Sequence, residues 1–183
     1  MSQEKKLQII DIEAKFQAWI TKIESLKSEI KALENLQNNP IINASSLSIG
    51  VFLLKMQIVE FELKQIISTL DGAINRELIK NKFSLTKTIR YPKDLEGLTL
   101  GKIINIFCEF EGPVSDALKK DLQKLNKLRN DFTHNLFNQD KNLADMKQEA
   151  CAGINISNLI IEYIGIMAGD LNKVQVNEVK NDK

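Results

Sequence analysis

The sequence predicts an all-α protein, a helical bundle led by a long, coiled-coil-like helical arm. Three observations carry that prediction. Apolar residues at Ile9, Ile12, Phe16, Trp19, Ile23, Leu26, Ile30 and Leu33 alternate in steps of three and four with no Pro or Gly between them, the spacing of a helical seam. Two longer stretches, Ser45 to Leu70 and Leu143 to Leu171, are apolar around much of a helix's circumference, as the central helices of a bundle are. Shorter amphipathic segments between them are bounded by residues that start and stop helices. The expected organisation is a packing or dimerisation arm over residues 1–39, a bundle over 40–171 and a polar tail over 172–183.

The arm's charges bear on what it packs against. With Ile9, Phe16, Ile23 and Ile30 at the a positions, a parallel in-register pair of arms sets Lys22 against Lys27 and Glu29 against Glu34, like against like. Antiparallel association, or docking onto the body of its own chain or a partner's, avoids those contacts and leaves room for Phe16 and Trp19. Gln37-Asn38-Asn39-Pro40 stops the arm, because Pro cannot continue a helix and pushes the residue before it out of helical geometry.

Ser45 or Ser46 supplies an N-cap for the second helix, whose apolar face runs through Leu47, Val51, Leu54, Ile58 and Phe61 and widens over Leu63, Ile66, Ile67 and Leu70. At about 100° per residue, Glu62 falls inside that apolar arc and Glu60 outside it. A carboxylate in such a place needs a partner. The candidates are Arg129 or His134, which would make Glu62 a supporting residue of a site, or else Lys55 or solvent. Asp71-Gly72 is expected to close the helix. From Leu78 to Lys93 there are five basic residues, Lys80, Lys82, Lys87, Arg90 and Lys93, and no acidic one. Tyr91-Pro92 and Gly97 mark the end of that stretch as loop. It reads either as a solvated connection or as a contact for an RNA backbone.

Thr99 caps a short apolar helix from Leu100 to Phe110, ended by Gly112-Pro113. The next helix opens at Ser115, with Asp116 in its first turn. Its stripe is Leu118, Leu122, Leu125 and Phe132, extending toward Leu136, while Lys120, Lys124 and Lys127 gather on the opposite side as candidate phosphate contacts. Asn138 to Asn142 form a polar loop before the last long helix, in which Gly153, Gly165 and Gly169 suggest close approach of a neighbouring helix.

The chemistry concentrates in Leu128-Arg129-Asn130-Asp131-Phe132-Thr133-His134-Asn135. His134 is the sole histidine and Arg129 one of three arginines, with Arg76 and Arg90. In a continuous helix Arg129 lies within about 20° of Leu118, amid the apolar stripe, while Asn130 and His134 share a face roughly 100° or more away. A guanidinium among leucines is costly unless it is paired or sits at an interface. Either it meets a carboxylate, or a second subunit packs there, or the helix loosens so that Arg129 and His134 converge. Cleavage of RNA by its own 2′-hydroxyl needs a base, an acid and positive charge on the phosphate. An imidazole with its ordinary pKa near ~6.5 suits the first two roles, a guanidinium's planar fork suits the third, and Asn130 is placed to orient the ring or bind ribose. One histidine cannot be base and acid at once, so a second subunit is implied.

Arg129-Asn130-x-x-x-His134, preceded by a short helix opening Leu98-Thr99-Leu100-Gly101, resembles the Arg-Asn-x-x-x-His signature of HEPN domains. The resemblance spans about residues 45 to 170 and implies a HEPN-like four-helix bundle. It also implies a metal-independent endoribonuclease of a toxin or antiviral defence system, acting as a homodimer in which two motifs line one cleft. A cognate antitoxin or other regulatory protein is a further implied partner. In the toxin class whose motif continues His-x-Tyr, the tyrosine is nucleotidylated by the antitoxin; position 136 here is Leu, which puts that mode of neutralisation in doubt. The same residues are also similar to mannitol-operon repressor-like proteins, which imply a non-catalytic regulator or scaffold.

Composition sets outer limits. Among 183 residues, 25 basic and 24 acidic side chains leave a net charge of +1, so any hold on nucleic acid must be a local patch. Cys108 and Cys151 are too few for a disulfide framework and read as reduced core thiols of a cytoplasmic protein. No His pair or Cys cluster supplies metal ligands, so neither metal nor cofactor is expected. The N-terminus lacks the apolar run of a secretory signal. The most apolar run, Leu159 to Ala168, is about half a membrane span and contains Glu162, so no association with a membrane is expected.

Overall fold

The protein is described by a computed structural model covering residues 3–36, 44–80, 90–110, 115–137 and 142–181; the side chains of 3–17, 19, 76–80, 135–137 and 172–181 lie outside the description. Among these residues the chain is all-helical, with α1 Gln3–Asn35, α2 Ala44–Lys80, α3 Leu100–Cys108, α4 Asp116–Phe137 and α5 Leu143–Asn181, and a 3-10 turn at Pro92–Leu95. Two of the sequence-based caps hold, whereas neither Ser45 nor Ser46 caps α2, which already begins at Ala44 and takes both serines into its first turn. The Thr99 side chain accepts from the Lys102 amide at 3.4 Å, and Ser115 Oγ accepts from the Leu118 amide at 3.2 Å.

The centre is the pair α2 and α5. Phe52 meets Gly153, and three residues further on Lys55 Nζ donates to Asn158 Oδ1 at 2.8 Å, so the two helices run parallel. Phe52 also stacks edge-on against Phe132 of α4, with ring centroids 5.4 Å apart. Around these contacts Val59, Leu63, Ile67, Ile103, Phe107, Leu118, Leu122, Leu125 and Ile160 are buried in one continuous core. Full burial of each such side chain is worth about 1.5–3 kcal/mol. The expected α4 stripe, Leu118, Leu122, Leu125 and Phe132, is the face that enters it; Leu136 lies outside the described side chains.

The arm folds back on its own chain. Leu33 approaches Gly50 and Lys22 sits 5.0 Å over the Phe61 ring, so α1 is antiparallel to α2. Ile23 and Ile30 are buried, and Leu26 and Leu33 pack around a second cluster formed by Ile30, Val51 and Ile58. This half of the seam is therefore satisfied within the chain, without the like-charge contacts of a parallel pair. The seam positions Ile9, Ile12, Phe16 and Trp19 lie outside the described side chains.

Several boundaries differ from expectation for identifiable reasons. α2 does not close at Asp71-Gly72 but continues to Lys80. Asp71 is fully buried, one turn beyond Ile67 on the core side, and its carboxylate is taken by Arg90 rather than by a turn. An isolated Gly costs a helix interior only about 1 kcal/mol, which the burial of Leu70 and the pairing of Asp71 with Arg90 outweigh. α3 stops at Cys108, two residues early; Gly112-Pro113 lies outside the described residues, as do Asn138 to Lys141 and Lys82 and Lys87 of the basic stretch. The backbone of the expected polar tail is helical as far as Asn181, for no Gly or Pro after Gly169 interrupts it. Cys108 is half-buried, but Cys151 is exposed, because it falls roughly 140° around α5 from the core-facing residues.

By length and composition, α2 over Ala44–Asn75 and α5 over Leu143–Leu171 reach the measure of a membrane span. The shorter run considered above understates this, so a span is not excluded on those grounds. The same two helices form the central pair of the bundle, which accounts for their apolar character.

Of the three α5 glycines, only Gly153 is a close-approach position. A Cβ there would collide with the Phe52 ring, whereas Gly165 and Gly169 open on empty space. Gly153→Ala should therefore destabilise by about 1–3 kcal/mol through overpacking despite its better helix propensity, while Gly165→Ala should stabilise by about 0.5–1 kcal/mol. Urea unfolding followed by circular dichroism measures both.

Candidate functional site

The motif rides on the last two turns of α4, and the core fixes how that helix is turned. Phe132 is fully buried against Phe52, which places the residues on either side of it. Arg129 is half-buried, while Asn130, Asp131, Thr133 and His134 are exposed. The helix does not loosen here. Its ladder continues to Phe137, and Thr133 Oγ1 donates back to the Arg129 carbonyl at 2.7 Å. With regular geometry, Arg129 and His134 are about 140° apart around the axis, and Asn130 is about 40° from His134.

Arg129 meets no carboxylate among the described residues. Its Nη1 donates to Asn130 Oδ1 at 3.3 Å, so the amide bridges the buried and exposed sides of the motif. Half-burial without an ion pair leaves the fork's remaining donors open to an external acceptor. The opening Leu98-Thr99-Leu100-Gly101 adjoins α4: Leu100 is buried, and a Cβ on Gly101 would come within 3.0 Å of the Asn126 side chain. Gly101 thus lets α3 approach α4 one turn before Arg129.

Lys120, Lys124 and Lys127 are exposed as expected. Lys124 Nζ lies 3.4 Å from Asp121, which offsets part of its charge. Lys120, Lys127 and His134 recur every seven residues, a spacing that drifts only about 20° per step. They form one exposed row roughly 21 Å long, with Asn130 at its flank.

Glu62 belongs to a different surface. It is buried as its place in the apolar arc requires, with 8% of its area exposed and Oε2 lacking any hydrogen-bond partner. Burial pushes its carboxyl up to about 7, and the charge that opposes this is Lys27 of α1. The structure therefore joins Glu62 neither to Arg129 nor to His134, and Lys55, the other partner considered, is engaged by Asn158. A groove of about 340 Å³ lies nearby between α1, α2 and α5, floored by Ile30, Ile58 and Ile161 and edged by Lys27, Glu34 and Glu162; no motif residue lines it.

Arg90 is not available to a nucleic acid either. Nε and Nη2 grip the buried Asp71 carboxylate at 2.8 and 3.2 Å, the Arg90 amide adds a bond at 3.1 Å, and Nη1 reaches Glu109 at 3.2 Å. The guanidinium also lies 5.5 Å over the Phe110 ring. This fastening of the chain after α2 to α3 was missed in the sequence because α2 was ended at Asp71. Continuing the Leu63–Ile67 spacing by one more turn would have placed Asp71 on the buried face. Among the described residues, no three His, Cys, Asp or Glu side chains gather as metal ligands.

Comparison with protein-family models, with characterised proteins and with solved structures finds no match. The functional reading therefore rests on the geometry above.

Glu62 gives the fold a pH dependence of definite sign. Below its ordinary value of 4.5 the carboxyl is protonated in both folded and unfolded chains. Between there and about 7 the unfolded chain releases the proton and the folded chain keeps it, so stability falls as pH rises, by on the order of 3 kcal/mol in all. Glu62→Gln should recover about 2–3 kcal/mol at about pH 8 and change little at about pH 4. Urea unfolding across that range measures the difference; equal stabilisation at both ends would refute it.

Proposed function

We propose that this chain is a metal-independent endoribonuclease of the HEPN type, working as a homodimer in a toxin or antiviral defence system. The observation that carries the reading is the state of the motif: a half-buried Arg129 bound to no carboxylate, tied through Asn130 to the face of an exposed His134. A purely structural arginine in an apolar stripe would be neutralised by an acid.

The chemistry needs no group beyond those residues. One imidazole takes the proton of a ribose 2′-hydroxyl, and the oxygen attacks the adjacent phosphorus. The P–O5′ bond breaks, leaving a 2′,3′-cyclic phosphate, and the departing 5′-oxygen receives a proton from a second imidazole. Arg129 holds the non-bridging phosphate oxygens, where negative charge builds up, and Asn130 orients the ring or the ribose. Lys120 and Lys127, with Lys124 beside them, hold flanking phosphates along the exposed row. Because Arg129 and His134 of one chain point about 140° apart, a second copy supplies the complementary group as well as the second imidazole.

That divergence is also what favours the other reading, a non-catalytic regulator or scaffold on a HEPN-like bundle, in which Arg129 and His134 serve separate surfaces. The experiment that separates them is RNA cleavage in excess EDTA by wild type, His134→Ala and Arg129→Ala. The nuclease reading predicts cleavage by wild type and a loss of roughly 10²–10⁴-fold in His134→Ala. Equal rates in all three proteins would leave the regulator. Lys127→Ala should weaken RNA binding across sequences and lower the salt slope by about 1.

A further inference from the structure

Glu62 is a buried acid with no part in the chemistry above, and it lies where α1 is laid over α2. Leu33 against Gly50 and Lys22 over Phe61 set the antiparallel register, which brings Ile23, itself buried, to the level of Glu62. At about 100° per residue Glu62 falls on α2 between Ile58, which packs against α1, and Lys55, which reaches across to α5. α5 contributes Ile161 to the α1–α2 cluster. One turn on, near the level of Glu62, stands Gly165, with no side chain and nothing within 4 Å of where a Cβ would be. The cover over this carboxyl is therefore α1. Beneath it Oε2 has no hydrogen-bond partner, so a charge there would lose its hydration with nothing in exchange.

We propose that Glu62 is a proton-dependent latch on α1: the arm docks on a neutral carboxyl and is loosened where that carboxyl would carry a charge. The latch is independent of the nuclease reading. Lifting α1 would return Glu62 to water and uncover the apolar face of α2 formed by Val51 and Ile58, both now fully buried.

Among the described residues, the charged side chains around this spot leave a carboxylate unmatched. Lys27 of α1 favours ionisation, and burial outweighs it. Lys22 is held over the Phe61 ring, Lys55 is engaged by Asn158, and Lys64 is paired with Glu60 at 2.8 Å. Glu34 of α1 and Glu162 of α5, which edge the neighbouring groove, are themselves acids.

The sign follows from the two states of the arm. Below the ordinary value of 4.5 the carboxyl is neutral whether α1 is docked or lifted. Between there and about 7 only the lifted form is charged, so docking takes up a proton and weakens as pH rises. Above about 7 both forms are charged and the docking constant levels off, about 300-fold below its value in acid.

Native-state hydrogen exchange on the full chain at about pH 5 and about pH 8, each rate divided by the intrinsic rate at that pH, tests the latch. Amides from Ile23 to Leu33 should open at a lower free energy than those from Leu118 to Leu125 in the core of α4. Their opening constant should rise about 70-fold from the lower pH to the higher. Glu62→Gln, uncharged throughout and of nearly the same shape, should hold the arm equally at both. Three results would each overturn the proposal: α1 amides that open only together with those of α4, an opening constant in wild type that does not change with pH, or the same rise in Glu62→Gln. The first of these would leave the pH dependence of global stability standing and remove the latch alone.

Discussion

The contact of Phe52 with Gly153 and Phe132 fixes the positions of the other parts. Gly153 is the one place on α5 where the missing side chain is filled by a neighbour's ring, and that closeness seats the two long apolar helices against each other. The same ring meets Phe132 edge-on, an arrangement worth about 0.5–1.5 kcal/mol beyond burial. Phe132 is inside the motif, so one aromatic side chain on α2 sets the rotation of the helix end that carries Arg129 and His134. Packing in the core thereby becomes geometry at the surface.

Rotation, once fixed, limits the chemistry. A regular helix cannot bring residues five apart onto one face, and α4 runs as one continuous α-helix through the motif to Phe137. Arg129 is held at the edge of the core and His134 in the open, with Asn130 between. A single chain offers a phosphate-binding group and a proton-transfer group that face different directions. Two chains can set one chain's guanidinium opposite the other's imidazole. The proposed function answers that one constraint.

Much of this was legible in the residues. The α4 stripe, the Thr99 and Ser115 caps, the burial of Glu62 and the divergence of Arg129 from His134 all follow from about 100° per residue. What escaped were features that depend on a distant partner. Asp71 looks like a turn residue beside Gly72 until Arg90, nineteen positions on, is known to grip it. Glu62 was correctly placed in an apolar arc, but periodicity on α2 cannot say which helix covers the arc, and α1 does. Gly153 and Gly165 are alike in sequence; only the ring of Phe52 distinguishes them. The arm's seam was visible, yet its docking onto its own chain depends on contacts with Val51, Ile58 and Phe61 of α2, which the arm's own spacing leaves open.

The most direct measurement of the central claim, that cleavage draws on groups from both chains, is subunit exchange between wild type and an excess of His134→Ala. With one histidine per chain, each heterodimer holds a single imidazole and lacks either the base or the acid. The account predicts that cleavage per wild-type chain falls by about 10²-fold or more as the excess grows. Cleavage per wild-type chain that stays constant, with subunit exchange verified, would contradict it.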